Sequence, residues 1–114
     1  MGELLDRLDE ARAAVGCDRL STDAALAAVA QAHSRAMRDE DFFGLTGADG
    51  TSLLEQGARA AAIARGKSDA VDVLDEWLDD PEDAAVIRNC TLASVGIGYA
   101  DGDSDGPWWT LLLA

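Results

Sequence analysis

Apolar residues recur at helical spacing in the N-terminal part of the chain. Leu4, Leu5, Leu8, Ala11 and Val15, with Arg12 among them, form a stripe that predicts a helix over residues 3–15, and Gly16 is placed to stop it. After a short loop from Cys17 to Leu20, Ser21 reads as an N-cap and Asp23 suits a first helical turn. Leu26, Val29, Ala30, His33 and Met37 then fall at i, i+3, i+4, i+7 and i+11, the cleanest amphipathic pattern in the chain, running to about Asp39. Phe42 and Phe43 read as a core plug, and Gly44 to Gly50 as a loop turned by Gly47, Asp49 and Gly50. Thr51 to Gln56 fits a short helix. Ala58 to Ala64 is alanine-rich, and because alanine is a poor strand former, local propensity favours helix there. Ser68 caps a further helix through Leu78, with Val71, Leu74, Trp77 and Leu78 on one face, and Asp80-Pro81 opens another that ends near Arg88. Ser94 to Ala100 alternates small with apolar residues and reads as a strand, Asp101 to Gly106 as a turn, and Trp108 to Leu113 as a closing strand. Helices first and a terminal hairpin predict an α+β layered fold. No internal repeat or linker interrupts the 114 residues, so a single domain over residues 1–114 is expected.

Charge narrows the partners. The chain carries 22 acidic and 9 basic groups, a formal net charge of −13. Nucleic acid and anionic membrane surfaces are poor partners for such a chain. Hydrophobic residues make up 48%, enough for a folded core, yet no apolar run reaches the roughly 20 residues of a membrane span. The acidic groups gather in the first helix, at the Glu76–Asp83 junction and in the Asp101–Asp105 turn, which read as solvated faces and ends. The N-terminal segment lacks a basic stretch followed by an apolar one, so a secretory leader is not expected within it.

Several positions could carry chemistry. Cys17 and Cys90 belong to no metal-binding spacing, and by themselves they fit either one disulfide in an oxidising compartment or two buried thiols. His33, the one histidine, could act as a general base, but its place on the apolar face of a helix favours a core histidine bonded to backbone. Ser34 points about 100° away and is not its nucleophile. Asp101-Gly102-Asp103-Ser104-Asp105-Gly106 matches the first half of a calcium loop, with Asp101, Asp103 and Asp105 as hard-oxygen ligands. Leu112 stands where the bidentate acid belongs, and the flanks read as strands, so a solvated hairpin turn is the competing reading. Trp108 and Trp109 face opposite sides of their strand, and core packing of both is expected if both sheet faces are covered.

LSTDAAL at 20–26, AQAHSRAM at 30–37, FFGLTGADGTS at 42–52, DVLDEWLDDPEDAAVIRNC at 72–90, VGIGYA at 95–100 and PWWTLLL at 107–113 form an ordered set covering nearly the whole chain. Together they resemble the CAP superfamily (the cysteine-rich secretory, antigen 5 and pathogenesis-related domain) in its compact bacterial form. The resemblance implies an α-β-α sandwich around a small central antiparallel sheet, with Ala58 to Ala64 a strand against its propensity. It implies an extracellular or cell-envelope setting and a Cys17–Cys90 disulfide, since related bacterial domains can pair cysteines at those two places. The family's cleft usually carries two histidines and one or two glutamates able to hold a divalent cation. By the same resemblance Leu45 stands at the loop histidine, Ala61 at the glutamate and Asp83 at the second histidine. The cleft so implied, with Leu45, Ala61, Asp83 and His33 as its candidate residues, has lost its metal chemistry. The expected function is a non-catalytic secreted domain without a cofactor that binds a small apolar ligand, a lipid or a protein partner. The alternatives are a calcium-dependent module on the 101–106 loop and, less favoured, a hydrolase using His33 with Asp83.

Overall fold

The computed structural model describes residues 2–47, 49–102 and 106–114. In chain order the elements are α1 (Gly2–Ala13), β1 (Ser21–Thr22), α2 (Ala24–Asp39), a short 3₁₀ turn (Leu53–Glu55), β2 (Ala60–Arg65), α3 (Ala70–Asp79), α4 (Pro81–Ile87), β3 (Ser94–Ala100) and β4 (Trp108–Leu113). The strands form one sheet in the order β1-β3-β4-β2. Leu4 and Leu8 of α1, Val73, Leu74 and Trp77 of α3, and Ile87 of α4 pack on one face of it. Leu26 and Ala30 of α2 pack on the other with Leu53, Ala58, Ala61 and Leu112. The result is the α-β-α sandwich that the resemblance implies.

The sheet departs from that expectation in one respect. β1 runs parallel to β3, with Ser21 opposite Ser94 and Thr22 opposite Val95, so the sheet is mixed rather than wholly antiparallel. Ser21 is therefore a strand residue, and the cap of α2 is Asp23, whose carboxylate accepts from the amides of Ala25 and Leu26. In the same way α3 is capped by Asp69, not Ser68.

β2 shows tertiary packing overriding propensity. Ala60, Ala62 and Ala64 face the cluster around Trp77. Their small side chains leave room for the indole, which donates from Nε1 to the Ile63 carbonyl at 3.0 Å. A helix over 58–64 would leave the edge of β4 that does not face β3 unpaired along Trp108–Leu113.

β3 lies against α2 for an equally specific reason. A Cβ built on Gly96 would stand 2.6 Å from the Leu26 Cβ, and one on Gly98 would stand 2.6 Å from the Gln31 amide nitrogen and collide with the Ala30 carbonyl. The two glycines let the helix backbone rest directly on the strand. The Gln31 carboxamide then reaches the strand's free edge, donating to the Tyr99 carbonyl at 2.7 Å and accepting from the Tyr99 amide at 3.0 Å.

The ends of α1 and α4 are tied twice. Cys17 and Cys90 form a disulfide with Cα atoms 4.9 Å apart. Beside it the Arg12 guanidinium is 99% buried and donates to the carbonyls of Ile87 at 3.1 Å, Asn89 at 3.1 Å and Leu92 at 2.7 Å. These carbonyls lie at and beyond the C-terminus of α4, where a cation is favoured. Asp9, also buried, accepts from the Leu20 amide at 2.9 Å and fixes the chain's return toward β1.

Candidate functional site

A concavity lies on the α2 side of the molecule. It has a volume of about 310 Å³ and opens between the Val29–Ala36 face of α2 and the segment that carries Gly47, Asp49 and Gln56, with Glu40 at its rim. Local bonds hold that segment in a hooked turn. Gly47 donates to the Thr51 carbonyl at 2.9 Å, the Thr51 amide to the Asp49 carboxylate at 2.9 Å, and Leu53 to the Leu45 carbonyl at 3.0 Å. Ser52 and Glu55 close a reciprocal capping box over the 3₁₀ turn.

His33 joins the hook to the helix. It is 6% exposed, and its Nε2–H donates to the Gly44 carbonyl at 2.7 Å. A carbonyl only accepts, so Nε2 carries a proton. Phe42 meets the imidazole edge-on at 5.6 Å. Among the described residues no carboxylate or hydroxyl is hydrogen-bonded to the ring. Phe43 is not the core plug expected of it. It is 43% exposed and lies beneath the Arg65 guanidinium, which stands 4.9 Å from its ring centre. Leu45 (38%) and Leu54 (49%) are also exposed, so three of the four exposed large hydrophobic residues sit on one segment beside the concavity. The fourth, Val15, follows the end of α1.

The structure separates the four residues expected in one cleft. His33 and Leu45 are close, through the Gly44 bond. Ala61 lies in the core between β2 and α2 and does not line the concavity. Asp83 lies in the first turn of α4, in the opposite helical layer, so the arrangement of His33 with Asp83 is not formed. Its carboxyl is pushed up to about 6, first by partial burial and then by Asp80, Glu82 and Glu76.

The described ends of the 101–106 stretch, Asp101, Gly102 and Gly106, lie against Tyr99 and Trp108. Asp101 accepts from the Tyr99 hydroxyl at 2.6 Å, and its carbonyl accepts from Arg38 at 3.4 Å. A Cβ on Gly102 or Gly106 would strike the Trp108 ring, which explains a glycine at each of these two positions without a metal. Asp103 and Asp105 lie outside the described residues. Among the described residues, no group of three or more His, Cys, Asp and Glu side chains is arranged to hold a metal ion. Ser34 is buried and shares a 2.7 Å hydrogen bond with Thr110. Both tryptophans are buried on opposite sheet faces, and Trp109 donates to the Lys67 carbonyl at 2.7 Å.

Sequence reasoning missed the structural roles of Arg12 and Gln31, and it missed Glu40, Asp49 and Gln56 as pocket residues. One signal was available for the pocket: Leu45 and Leu54 are large apolar residues in a turn-rich stretch that has no periodicity to bury them.

Comparison with known proteins agrees with this geometry. An extracellular protein of Bacillus anthracis containing an SCP domain superposes with a TM-score of 0.80 at 22% identity, covering 98% of this chain and 39% of that one. An outer surface protein of Borrelia burgdorferi superposes at 0.87 with 18% identity, covering 99% and 90%. A cysteine-rich secretory protein of Staphylococcus aureus superposes at 0.71 with 16% identity, covering 97% and 37%. The chain thus spans well under half of the Bacillus and Staphylococcus proteins and nearly all of the Borrelia one. At these identities the likeness shows the fold. No curated protein matches the sequence. The family model of the cysteine-rich secretory proteins matches residues 5–113, and the chain belongs to that family, the CAP family.

Proposed function

We propose that the domain is a non-catalytic binding module that takes an apolar ligand at the concavity beside His33. The observation that carries this reading is a pocket of about 310 Å³ walled by Val29, Ala32 and Ala36, with Phe43, Leu45 and Leu54 exposed on the 43–56 segment that supplies its other wall. A small acidic chain that buries nearly all its other large apolar side chains gains nothing in solubility from such exposure, whereas apolar patches beside a concavity are where ligands bind. Leu45, standing by resemblance at one of the family's ligand positions, supplies no metal ligand on the segment that walls the concavity. Among the described residues no carboxylate or hydroxyl is hydrogen-bonded to the His33 ring, which argues against general-base work. An extracellular or envelope setting is supported by the disulfide and by the extracellular and outer-surface descriptions of two similar structures. Among the described residues no helix is long and apolar enough to cross a membrane.

Titration with the neutral dye Nile red tests the site. Saturable binding is expected, weakened about tenfold or more in the Phe43→Ser/Leu45→Ser protein, because two apolar contacts are lost. Val15→Ser removes an equally exposed apolar residue elsewhere and should leave binding unchanged. Absence of saturable binding, or equal weakening by Val15→Ser, would overturn the reading.

A further inference from the structure

Polar groups around the concavity bias what its ligand can carry. His33 is 94% buried and lines the pocket. Its Nε2 is engaged by Gly44, while Nδ1 has no protein partner among the described residues. No buried side-chain nitrogen or oxygen of those residues is left sealed without a partner, so Nδ1 is accessible on a residue that lines the pocket. Glu40 and Asp49 line the same space, and Asp49 uses one carboxylate oxygen to hold Thr51, which leaves the other free to face a ligand. Gln56 is the one remaining polar side chain of the lining, and no basic group is among the lining residues. Glu40 also lies within an acidic triplet, Asp39 to Asp41, in which Arg38 is drawn to Asp39. The pocket therefore combines a buried acceptor nitrogen, two carboxylates and an apolar wall.

We propose that the pocket selects a primary ammonium group carried on an apolar chain. The ammonium donates to His33 Nδ1 and is neutralised by Glu40 and Asp49, while the chain lies along Val29, Ala32 and Ala36. Three donors on a compact cation match the two carboxylates and the ring nitrogen, a hydroxyl supplies one donor and no charge, and a carboxylate is repelled. This inference rests on the apolar-ligand reading above and adds the head group to it.

Calorimetric titration with n-octylammonium, n-octanol and n-octanoate, at neutral pH and physiological salt, separates the two. The three probes share one chain and differ only in the head. Octylammonium should bind about tenfold or more tightly than octanol, and octanoate most weakly. Glu40→Gln should bring octylammonium close to octanol while leaving octanol unchanged. Asp75→Asn, which removes the same charge from the α3 surface, should leave the order intact and thereby excludes simple attraction to an acidic protein. Equal affinity for the three heads, or an equal effect of Asp75→Asn, would overturn the ammonium inference and leave the apolar pocket standing. Failure of all three to bind would overturn both.

Discussion

Substituting Gly98 by alanine tests the closest packing in the molecule. The added methyl would stand 2.6 Å from the Gln31 nitrogen and press on the Ala30 carbonyl, both part of the α2 backbone, which cannot swing aside as a side chain could. Restoring ordinary contact requires α2 and β3 to separate by about 1 Å, and a gap of that size forfeits a quarter to a half of the dispersion energy of each contact across it. Overpacking of this kind costs about 1–3 kcal/mol. The movement also stretches the two bonds from Gln31 to Tyr99, each contributing about 1 kcal/mol. Against this, alanine restricts the unfolded chain and recovers roughly 0.4–1 kcal/mol. The expected net loss is about 2–4 kcal/mol, a large share of the 5–15 kcal/mol typical of a domain. Urea unfolding followed by tryptophan fluorescence measures it, with Gly44→Ala as control, since a Cβ there meets nothing within 4 Å. A Gly98→Ala protein within about 0.5 kcal/mol of the parent would refute the close-approach argument.

Three further perturbations probe the scaffold. Arg12→Met keeps the length of the side chain but orphans the buried carbonyls of Ile87 and Leu92, and should cost about 3 kcal/mol or more in urea unfolding; a loss under 1 kcal/mol would mean that the guanidinium is dispensable. Cys17→Ser/Cys90→Ser opens a cross-link spanning 73 residues and should cost about 4 kcal/mol, seen also on adding a reductant to the parent; unchanged stability on reduction would contradict it. For Asp83, a folded pKa raised from 3.8 to about 6 means that the protonated carboxyl suits the folded state better. Its contribution is therefore full below about pH 4 and is lost as pH rises through about 6. Asp83→Asn should raise Tm at pH 7 and match the parent near pH 4, with a modest gain because the group is more than half solvated. A gain that does not vary with pH would sink this account.

Helices were legible in the sequence because each buries a single face, and period alone places that face. α2 is the clearest case, with Leu26, Ala30, His33 and Met37 all buried where the spacing puts them. The two elements misjudged from local signals are those whose reason lies elsewhere in the chain. Ala60–Arg65 is a strand because it covers the second edge of β4 and leaves space for Trp77, neither of which alanine propensity records. Ser21–Thr22 is a strand because it meets β3 for two residues, too short a run to show any alternation. Arg12 read as one polar residue in an apolar stripe, and its function as a plug for the end of α4 depends on carbonyls 75 to 80 positions away.

The site was less legible for a related reason. Aligning motifs places residues along a strand or a helix but not on a face, and in a sandwich the face decides everything. A shift of one residue along β2 carries a side chain from the α3 layer to the α2 layer. Ala61 thus belongs with Leu26 and Leu112, while Asp83 belongs to the helix layer beyond the sheet. What remains near His33 is supplied by an irregular segment, 43–56, whose geometry comes from short-range hydrogen bonds rather than from periodicity. In this domain the regular elements carry stability and the hooked turn carries the exposed apolar surface. Substitutions at Phe43, Leu45 or Leu54 should therefore alter binding while leaving unfolding nearly unchanged, and those at Gly98 or Arg12 should do the reverse.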